Sequence, residues 1–258
     1  MLVQDQNIKE CREGTIRLSI VSHEQDDLVR ELLASIAEQC RVDCLKVTIT
    51  RNTQAPCEIS FDSFPFPIEI LQNPHKKGFG ANHNSAFNNC REEFFCVLNP
   101  DIIITTDPFP DLQASLQNKK LGVVSPVLYD SSGVLQDSAR SFPTPLRILK
   151  KIINHNPEDF LVSRNTDDFS PDWVAGMFML FPAETFRLIG GFDEAFFMYY
   201  EDADICKRLS EHGYTSKVVV KANAVHNARR ASHRSLRYMY WHLSSMFRFF
   251  FRYPFFQL

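Results

Sequence analysis

Over roughly its first 130 residues the chain alternates short β-rich apolar runs with stretches of helical periodicity. Such alternation leaves few architectures open, and the most direct is a series of βαβ units around a mainly parallel sheet. Ile16 to Val21 reads as a buried strand. Asp26 or Asp27 can cap a helix whose apolar face is Leu28, Leu32, Leu33 and Ile36, and Val47 to Thr50 is a second strand. A Pro-rich loop leads to a third strand, Ile68 to Leu71, then a Gly-containing loop and a helix from about Ala81 to Cys90. Phe94 to Leu98 is a fourth strand, stopped by Asn99-Pro100-Asp101. Ligands of open α/β sheets bind beyond the carboxyl ends of the strands, so the loops there are the place to look for chemistry.

The second half is less regular. Gly122 to Val127 reads as a strand, Asp130 to Gly133 as a turn and His155 to Pro171 as a polar loop. Trp173 to Phe181 is one apolar strand-like run, followed by a short helix from Ala183 to Ile189 that Gly190-Gly191 stops. A helix from Asp202 to Glu211 ends at Gly213, Thr215 to Val220 is another strand, and from Ser232 the pattern is helical.

Charge sets this last segment apart. After Glu211 there is no acid but eight Lys or Arg, which against a whole-chain net charge of −3 leaves −11 on the first 211 residues. The balance argues against a nucleic-acid binder and predicts that the tail faces something anionic or compensates the acidic body. Ten aromatic residues lie between Tyr238 and Phe256 among Arg234, Arg237, Arg248 and Arg252, a composition suited to the boundary of an anionic membrane. The competing reading packs these rings against the body of the chain or a partner subunit, because after Phe247 they lie almost all around the helix. Seven cysteines without a C-x-x-C, a charged N-terminal stretch and no run of about 18 apolar residues predict a soluble cytoplasmic protein with reduced thiols.

Four constellations carry chemistry. Asp101 follows a buried strand on a tight turn, where a carboxylate can meet Mg2+ or Mn2+ together with phosphate oxygens; a plain strand-ending turn is the bland alternative. Glu201, Asp202 and Asp204 crowd three carboxylates into four residues at a helix start, beyond what capping requires, and like charges so close raise one another's pKa. His226 can complete the shell of a borderline metal such as Mn2+, although a lone histidine is as readily structural. The loop Asn73 to Asn82 contains Gly78 and Gly80 but has His83 where a dinucleotide fingerprint needs its last glycine, and no P-loop motif occurs.

Taken in order, Leu18 to Ser22, Thr50-Arg-Asn52, Asn73 with Lys77-Gly-Phe-Gly80 and Asn82, Leu98-Asn-Pro-Asp101, Asp172-Trp-Val-Ala-Gly176, Gly190-Gly-Phe-Asp-Glu194, Phe197 to Asp204 and His226 resemble family 2 glycosyltransferases of GT-A fold, and most of all their rhamnosyltransferase-like branch. The resemblance covers roughly residues 16 to 245. It implies that Asp101 is the metal-binding acid of a D-x-D motif whose first position is Asn99, that Asp202 is the catalytic base with Glu201 as its acidic neighbour, and that His226 is a metal ligand. Ser22 and Asn52 fall where the family contacts the nucleotide, and Gly78, Gly80 and Asn82 where the loop passes the sugar nucleotide. Asn73, Asn99, Trp173, Gly176 and Asp204 join the same substrate site, and Arg229 and Arg230 suit the leaving diphosphate. Relatives usually carry Asp-Asn after the second strand, whereas this chain has Arg51-Asn52.

The reading is an α/β GT-A domain over 1–228, its nucleotide-sugar half about 14–130 and its acceptor half about 131–228, with a basic aromatic helical extension over 229–258. The expected activity is inverting, metal-dependent transfer of L-rhamnose from dTDP-rhamnose to a lipid-linked glycan acceptor in surface polysaccharide synthesis, with no nucleic-acid partner. Another sugar from a UDP or GDP donor, a sugar nucleotidyltransferase and a catalytically silent nucleotide-sugar binder stay open, as do a homodimer and a peripheral membrane contact.

Overall fold

A computed structural model describes residues 14–55, 60–145, 147, 167–227 and 236–254. Eight strands form one sheet in the order β3-β2-β1-β4-β9-β6-β10-β5. Here β1 is Ile16–Ser22, β2 Leu45–Arg51, β3 Ile68–Gln72, β4 Phe94–Leu98, β5 Ile102–Ile103 and β6 Leu121–Tyr129. A small pair is made by β7 (Ala139–Arg140) and β8 (Trp173–Val174), while β9 (Phe178–Pro182) and β10 (Thr215–His226) return to the main sheet. The strands β1 to β4 pair in parallel, as do β6 and β10; β9 enters antiparallel between β4 and β6, and β5 lies antiparallel on β10.

The alternation of side chains along each strand builds two apolar layers. On β4, Phe94, Cys96 and Leu98 enter one layer, with α1 (Asp26–Gln39) and α3 (Phe109–Leu116), while Phe95 and Val97 enter the other. That second layer is aromatic: Phe181, Phe186 and Phe192 join Phe95 beneath α2 (Phe79–Phe87), α4 (Ala183–Leu188) and α5 (Glu201–Glu211). The final helix, α6 (Leu236–Arg252), contributes Phe249 to the same layer.

The expected strands β1 to β4 and β6 are all present, β4 at its expected bounds and the others with one or both ends displaced by one or two residues. Several details differ for physical reasons. The run Trp173 to Phe181 is two strands in two sheets, because the chain leaves one ladder at Ala175 to Met177 and enters another. The strand expected to stop at Val220 runs on to His226 through a bulge between Val219 and Asn223. Gln25, not Asp26 or Asp27, is the N-cap position of α1, and both acids sit in the first turn, where they meet the positive end of the helix. The second helix occupies Phe79–Phe87, earlier than the expected Ala81 to Cys90. Of the loop expected over His155 to Pro171, residues 155–166 lie outside the described residues, and Phe169 bridges Val218. Among the described residues no helix is long and apolar enough to cross a membrane.

Candidate active site

The carboxyl ends of β1 to β4 share one edge of the sheet, since Ser22 lies opposite Arg51, Arg51 opposite Gln72 and Ile20 opposite Leu98. Three buried asparagines organise the first part of this edge. The Asn52 side-chain oxygen accepts from Asn73 Nδ2 at 2.9 Å and from the Lys77 N–H at 2.9 Å, while Asn52 Nδ2 donates to the Lys77 carbonyl at 2.8 Å. Asn73 Nδ2 also donates to Asn82 Oδ1 at 2.6 Å, and Asn82 Nδ2 donates to the Gly78 carbonyl at 2.8 Å. The three amides therefore hold the backbone of the 73–82 loop. Gly78 and Gly80 are close-approach positions: a Cβ on Gly78 would stand 2.6 Å from the Phe197 carbonyl oxygen, and one on Gly80 2.6 Å from Phe192 Cβ. The start of α2 is thus pressed against the segment that leads into the acids, and Phe79 N–H donates to the Phe197 carbonyl at 2.9 Å.

Ser22 is fully buried and serves the turn into α1, accepting from the Gln25 N–H at 3.1 Å and donating to Asp26 Oδ1 at 2.9 Å. Arg51 pairs with Asp26 at 2.9 Å and donates to the Ala55 carbonyl at 2.8 Å. A cation is thereby neutralised inside the loop framework.

The second part of the edge carries the acids. Tyr199 and Tyr200 both have left-handed backbone, with φ of 71° and 66°, a conformation costing about 1–3 kcal/mol for such residues and found at sites that the surroundings over-determine. Their rings flank His242 of α6 at 5.2 and 5.5 Å. The tight turn launches α5, so that Glu201, Asp202 and Asp204 all fall in its first turn.

Each acid has a different environment. Asp202 Oδ2 accepts from the Gly176 N–H at 3.1 Å and Oδ1 from the Ala203 N–H at 2.9 Å. Burial pushes its pKa up, against the pull of those two N–H groups and of Arg140. Glu201 is buried, its Oε2 has no hydrogen-bond partner, and burial together with the charge of Asp202 drives its pKa well above the ordinary range. Asp204 is fully buried and structural in its contacts: it accepts from Arg208 Nε at 2.8 Å and from the Tyr253 hydroxyl at 3.0 Å. Gly176 is where the break between β8 and β9 brings backbone to Asp202. Its Cβ would meet Phe79 Cζ at 3.0 Å, and the neighbouring Met177 carbonyl accepts from the Asn99 N–H at 2.9 Å, which joins this turn to the end of β4.

Asp101 and His226 are brought together by strand pairing. Because Ile102 lies opposite His226 on β5 and β10, the residue before β5 meets the last residue of β10, and His226 Nε2 stands 3.3 Å from Asp101 Oδ1. Gln136 fixes the imidazole. Its Nε2 donates to the His226 carbonyl at 2.8 Å, which assigns the amide orientation, so Gln136 Oε1 must accept from His226 Nδ1 at 2.6 Å. In the neutral ring the other nitrogen carries a lone pair toward Asp101 Oδ1, which is buried and makes no hydrogen bond. In that state two acceptors face each other, an arrangement that a bound metal cation or a proton on the ring resolves. Among the described residues no group of three or more His, Cys, Asp or Glu is placed to hold a metal. Two protein ligands beside a diphosphate are the usual hold on Mg2+ or Mn2+, so the pair fits that group.

Trp173 is buried at the rim, donating from Nε1 to the Ser141 carbonyl at 3.0 Å, with the Arg140 guanidinium 5.2 Å over its ring. Arg229 and Arg230 lie outside the described residues. Sequence reasoning missed Gln136 and Arg140 and placed Tyr253 only among the tail aromatics; their contacts with His226, Trp173 and Asp204 reach far along the chain, and no local pattern marks an amide that orients a histidine 90 residues away.

The sequence model described as Glycosyl transferase family 2 matches residues 19–181. Rhamnosyltransferase WbbL of Escherichia coli K12 is 27% identical over 245 residues, covering 91% of this chain and 92% of that protein. N-acetylglucosaminyl-diphospho-decaprenol L-rhamnosyltransferase of Mycobacterium tuberculosis is 27% identical over 154 residues, covering 55% of this chain and 50% of the relative. Among solved structures, GalNAc-T7 with UDP, GalNAc and Mn2+ superimposes with a TM-score of 0.65 at 12% identity, over 83% of this chain and 44% of that one. Mannosyltransferase PcManGT from Pyrobaculum calidifontis, in complex with GDP-Man and Mn2+, gives 0.58 at 17% identity, over 84% and 58%. These likenesses establish a GT-A-like fold, and with the match over 19–181 the chain belongs to glycosyl transferase family 2.

Proposed function

We propose that the protein transfers a sugar with inversion from a nucleoside-diphosphate donor in a metal-dependent reaction, and that the donor is dTDP-L-rhamnose and the acceptor a lipid-linked glycan of surface polysaccharide synthesis. The observation that carries the metal-dependent reading is the pair Asp101 and His226, held 3.3 Å apart at the sheet edge with the imidazole oriented by Gln136. The rhamnosyl reading is supported by the near full-length relative and by the L-rhamnosyltransferase that matches about half of the chain.

In this reaction Asp202 takes the proton of the acceptor hydroxyl as that oxygen attacks the anomeric carbon from the face opposite the diphosphate. A raised pKa suits the task, because a base closer to the working pH accepts the proton more readily. Its two backbone donors fix the direction in which the carboxylate faces. Asp101 and His226 would hold Mg2+ or Mn2+, which supplies Lewis-acid stabilisation of the charge growing on the departing diphosphate. Asn52, Asn73 and Asn82 act on the donor through the loop they hold, since their amides are engaged with one another and with its backbone. Asn99, Trp173 and Gly176 shape the floor and rim, and Arg229 and Arg230 suit the diphosphate by charge.

Incubation with dTDP-rhamnose and with UDP- and GDP-sugars, each with and without Mn2+, tests the reading through slow release of nucleoside diphosphate. Release confined to dTDP-rhamnose and dependent on metal is the expected result. Preference for a UDP or GDP donor would replace the rhamnosyl assignment, and binding without release would favour a silent homologue.

A further inference from the structure

The last helix has two faces with opposite fates. Trp241, His242, Ser245, Phe249 and, just past the helix end, Tyr253 turn inward. Ser245 donates to the Met198 carbonyl at 2.8 Å, Trp241 lies 4.7 Å from the Phe197 ring, and Tyr253 donates to Asp204. The opposite face carries Leu236, Met239, Tyr240, Leu243, Phe247 and Phe251, between 43% and 84% exposed. At about 100° per residue these six fall within roughly 120° of arc, the width of an amphipathic stripe. Arg237 and Arg248 fall at one border of that stripe, and no acid occurs between Leu236 and Pro254.

We propose that α6 is an interfacial helix whose outer stripe seats the protein on an anionic lipid surface. Apolar and aromatic side chains on one arc with arginines at its border suit insertion into the headgroup boundary, where the rings lose water and the cations keep phosphate neighbours. A second copy of the chain fits the same face poorly. Two such stripes packed together would bring their bordering arginines near one another with no carboxylate on the segment to answer them, whereas lipid phosphates answer them directly. The inner face gives the seat a consequence. It is bolted to the Phe197 to Asp204 segment, so the surface that holds α6 also lies beside the turn that carries Asp202.

The full-length protein is sedimented with phosphatidylcholine vesicles, with and without phosphatidylglycerol, at low and high salt. Binding to the anionic vesicles that is lost at high salt is expected. Joint substitution Phe247→Ser and Phe251→Ser should lower the bound-to-free ratio by at least about tenfold, and Arg248→Gln by about fivefold at low salt. These side chains are exposed, so far-ultraviolet circular dichroism should be unchanged; Leu243→Ser gives the same reading at smaller size should the double variant unfold. Absence of vesicle binding at low salt would overturn the proposal, as would a dimer, seen by sedimentation equilibrium, that the same paired substitution dissociates. No step uses a sugar nucleotide, so a wrong donor assignment leaves the outcome untouched.

Discussion

The amides of Asn52, Asn73 and Asn82 and the acids Asp101, Glu201 and Asp202 line one sheet edge, but they are satisfied differently. In the amide cluster the side chains bond to one another and to the 73–82 backbone at 2.6–2.9 Å. In the acid cluster Asp101 Oδ1 and Glu201 Oε2 are buried and make no hydrogen bond, Asp101 Oδ1 standing 3.3 Å from His226 Nε2, and Asp202 is held by two backbone N–H groups at 2.9 and 3.1 Å. A filled network of neutral groups makes a loop rigid, whereas unanswered buried oxygens cost free energy that a purely structural cluster would have shed. Under the proposed reaction the difference fits scaffolding by the amides and chemistry by the acids, and it can be tested residue by residue.

The largest effect should come from Asp202→Asn. The amide is nearly isosteric and can still accept from Gly176, but it cannot take a proton, so transfer should fall by about 10²–10⁴ while melting temperature and donor binding stay close to wild type. Transfer within a few-fold of wild type would return Asp202 to the role of a helix-start acid and erase the contrast. The acid limb of the pH profile sharpens it further. A base whose pKa is raised loses activity as pH falls through that raised value, so the limb should lie above the ordinary aspartate range near 3.9.

Next in size is Gln136→Ala. The histidine would then be free to place a proton on either nitrogen, and loss of such an orienting partner typically costs about 10–100-fold in metal affinity. Calorimetric titration with dTDP, with and without Mn2+, reads this directly, and Asp101→Ala should cost more because it removes the anionic ligand. Metal-independent affinity in wild type, unchanged in both variants, would make Asp101 a turn residue.

Much of the amide half could be read from the chain itself. Strands β1, β2 and β4 are buried along nearly their whole length, so their β-branched and aromatic runs are continuous and bounded by turn residues. The acid half resisted because its decisive contacts are long-range. An apolar run such as Trp173 to Phe181 does not show that it must break at Gly176 to offer an N–H to Asp202, 26 residues on. Two-residue strands such as β5 and β7 carry no periodicity, yet β5 is what sets Asp101 beside His226. Helix α3 does carry a pattern, Phe109, Leu112 and Leu116 buried behind Pro108, but it is only eight residues long and gives a weak periodic signal. The aromatic tail looked uniform because composition does not say which arc has a partner; the contacts of Trp241 and Phe249 divide it.

A smaller effect on transfer and a clearer one on stability is expected for Asn73→Ala. Its amide nitrogen donates to both Asn52 and Asn82, so truncation leaves two buried oxygens each one donor short, costing about 1–3 kcal/mol. For a chain of this size that is a fall of about 2–4 °C in melting temperature per kcal/mol, readable by calorimetry. If the amides were primarily donor ligands, the variant would instead melt normally and lose donor affinity.

The smallest effect tests the comparison from the other side, by giving the acid cluster an amide. Glu201 keeps its proton in the folded protein to higher pH than it would in the unfolded chain, because burial and the neighbouring Asp202 charge disfavour its carboxylate. Its folded pKa is raised, so the folded state binds more protons than the unfolded state once pH passes the ordinary glutamate value near 4.3, and stability is lost as pH rises from there. Glutamine reproduces the neutral side chain and has no such titration. Glu201→Gln should therefore differ little from wild type near pH 4 and become progressively the more stable of the two toward neutral pH. Thermal melts of both proteins across that interval give the difference directly, with the other ionisable groups cancelling to first order. A gap that stays constant, or that closes as pH rises, would mean that Glu201 ionises in the folded protein as readily as in the unfolded chain, so that its carboxylate is answered there and the contrast with the amides rests on Asp101 and Asp202.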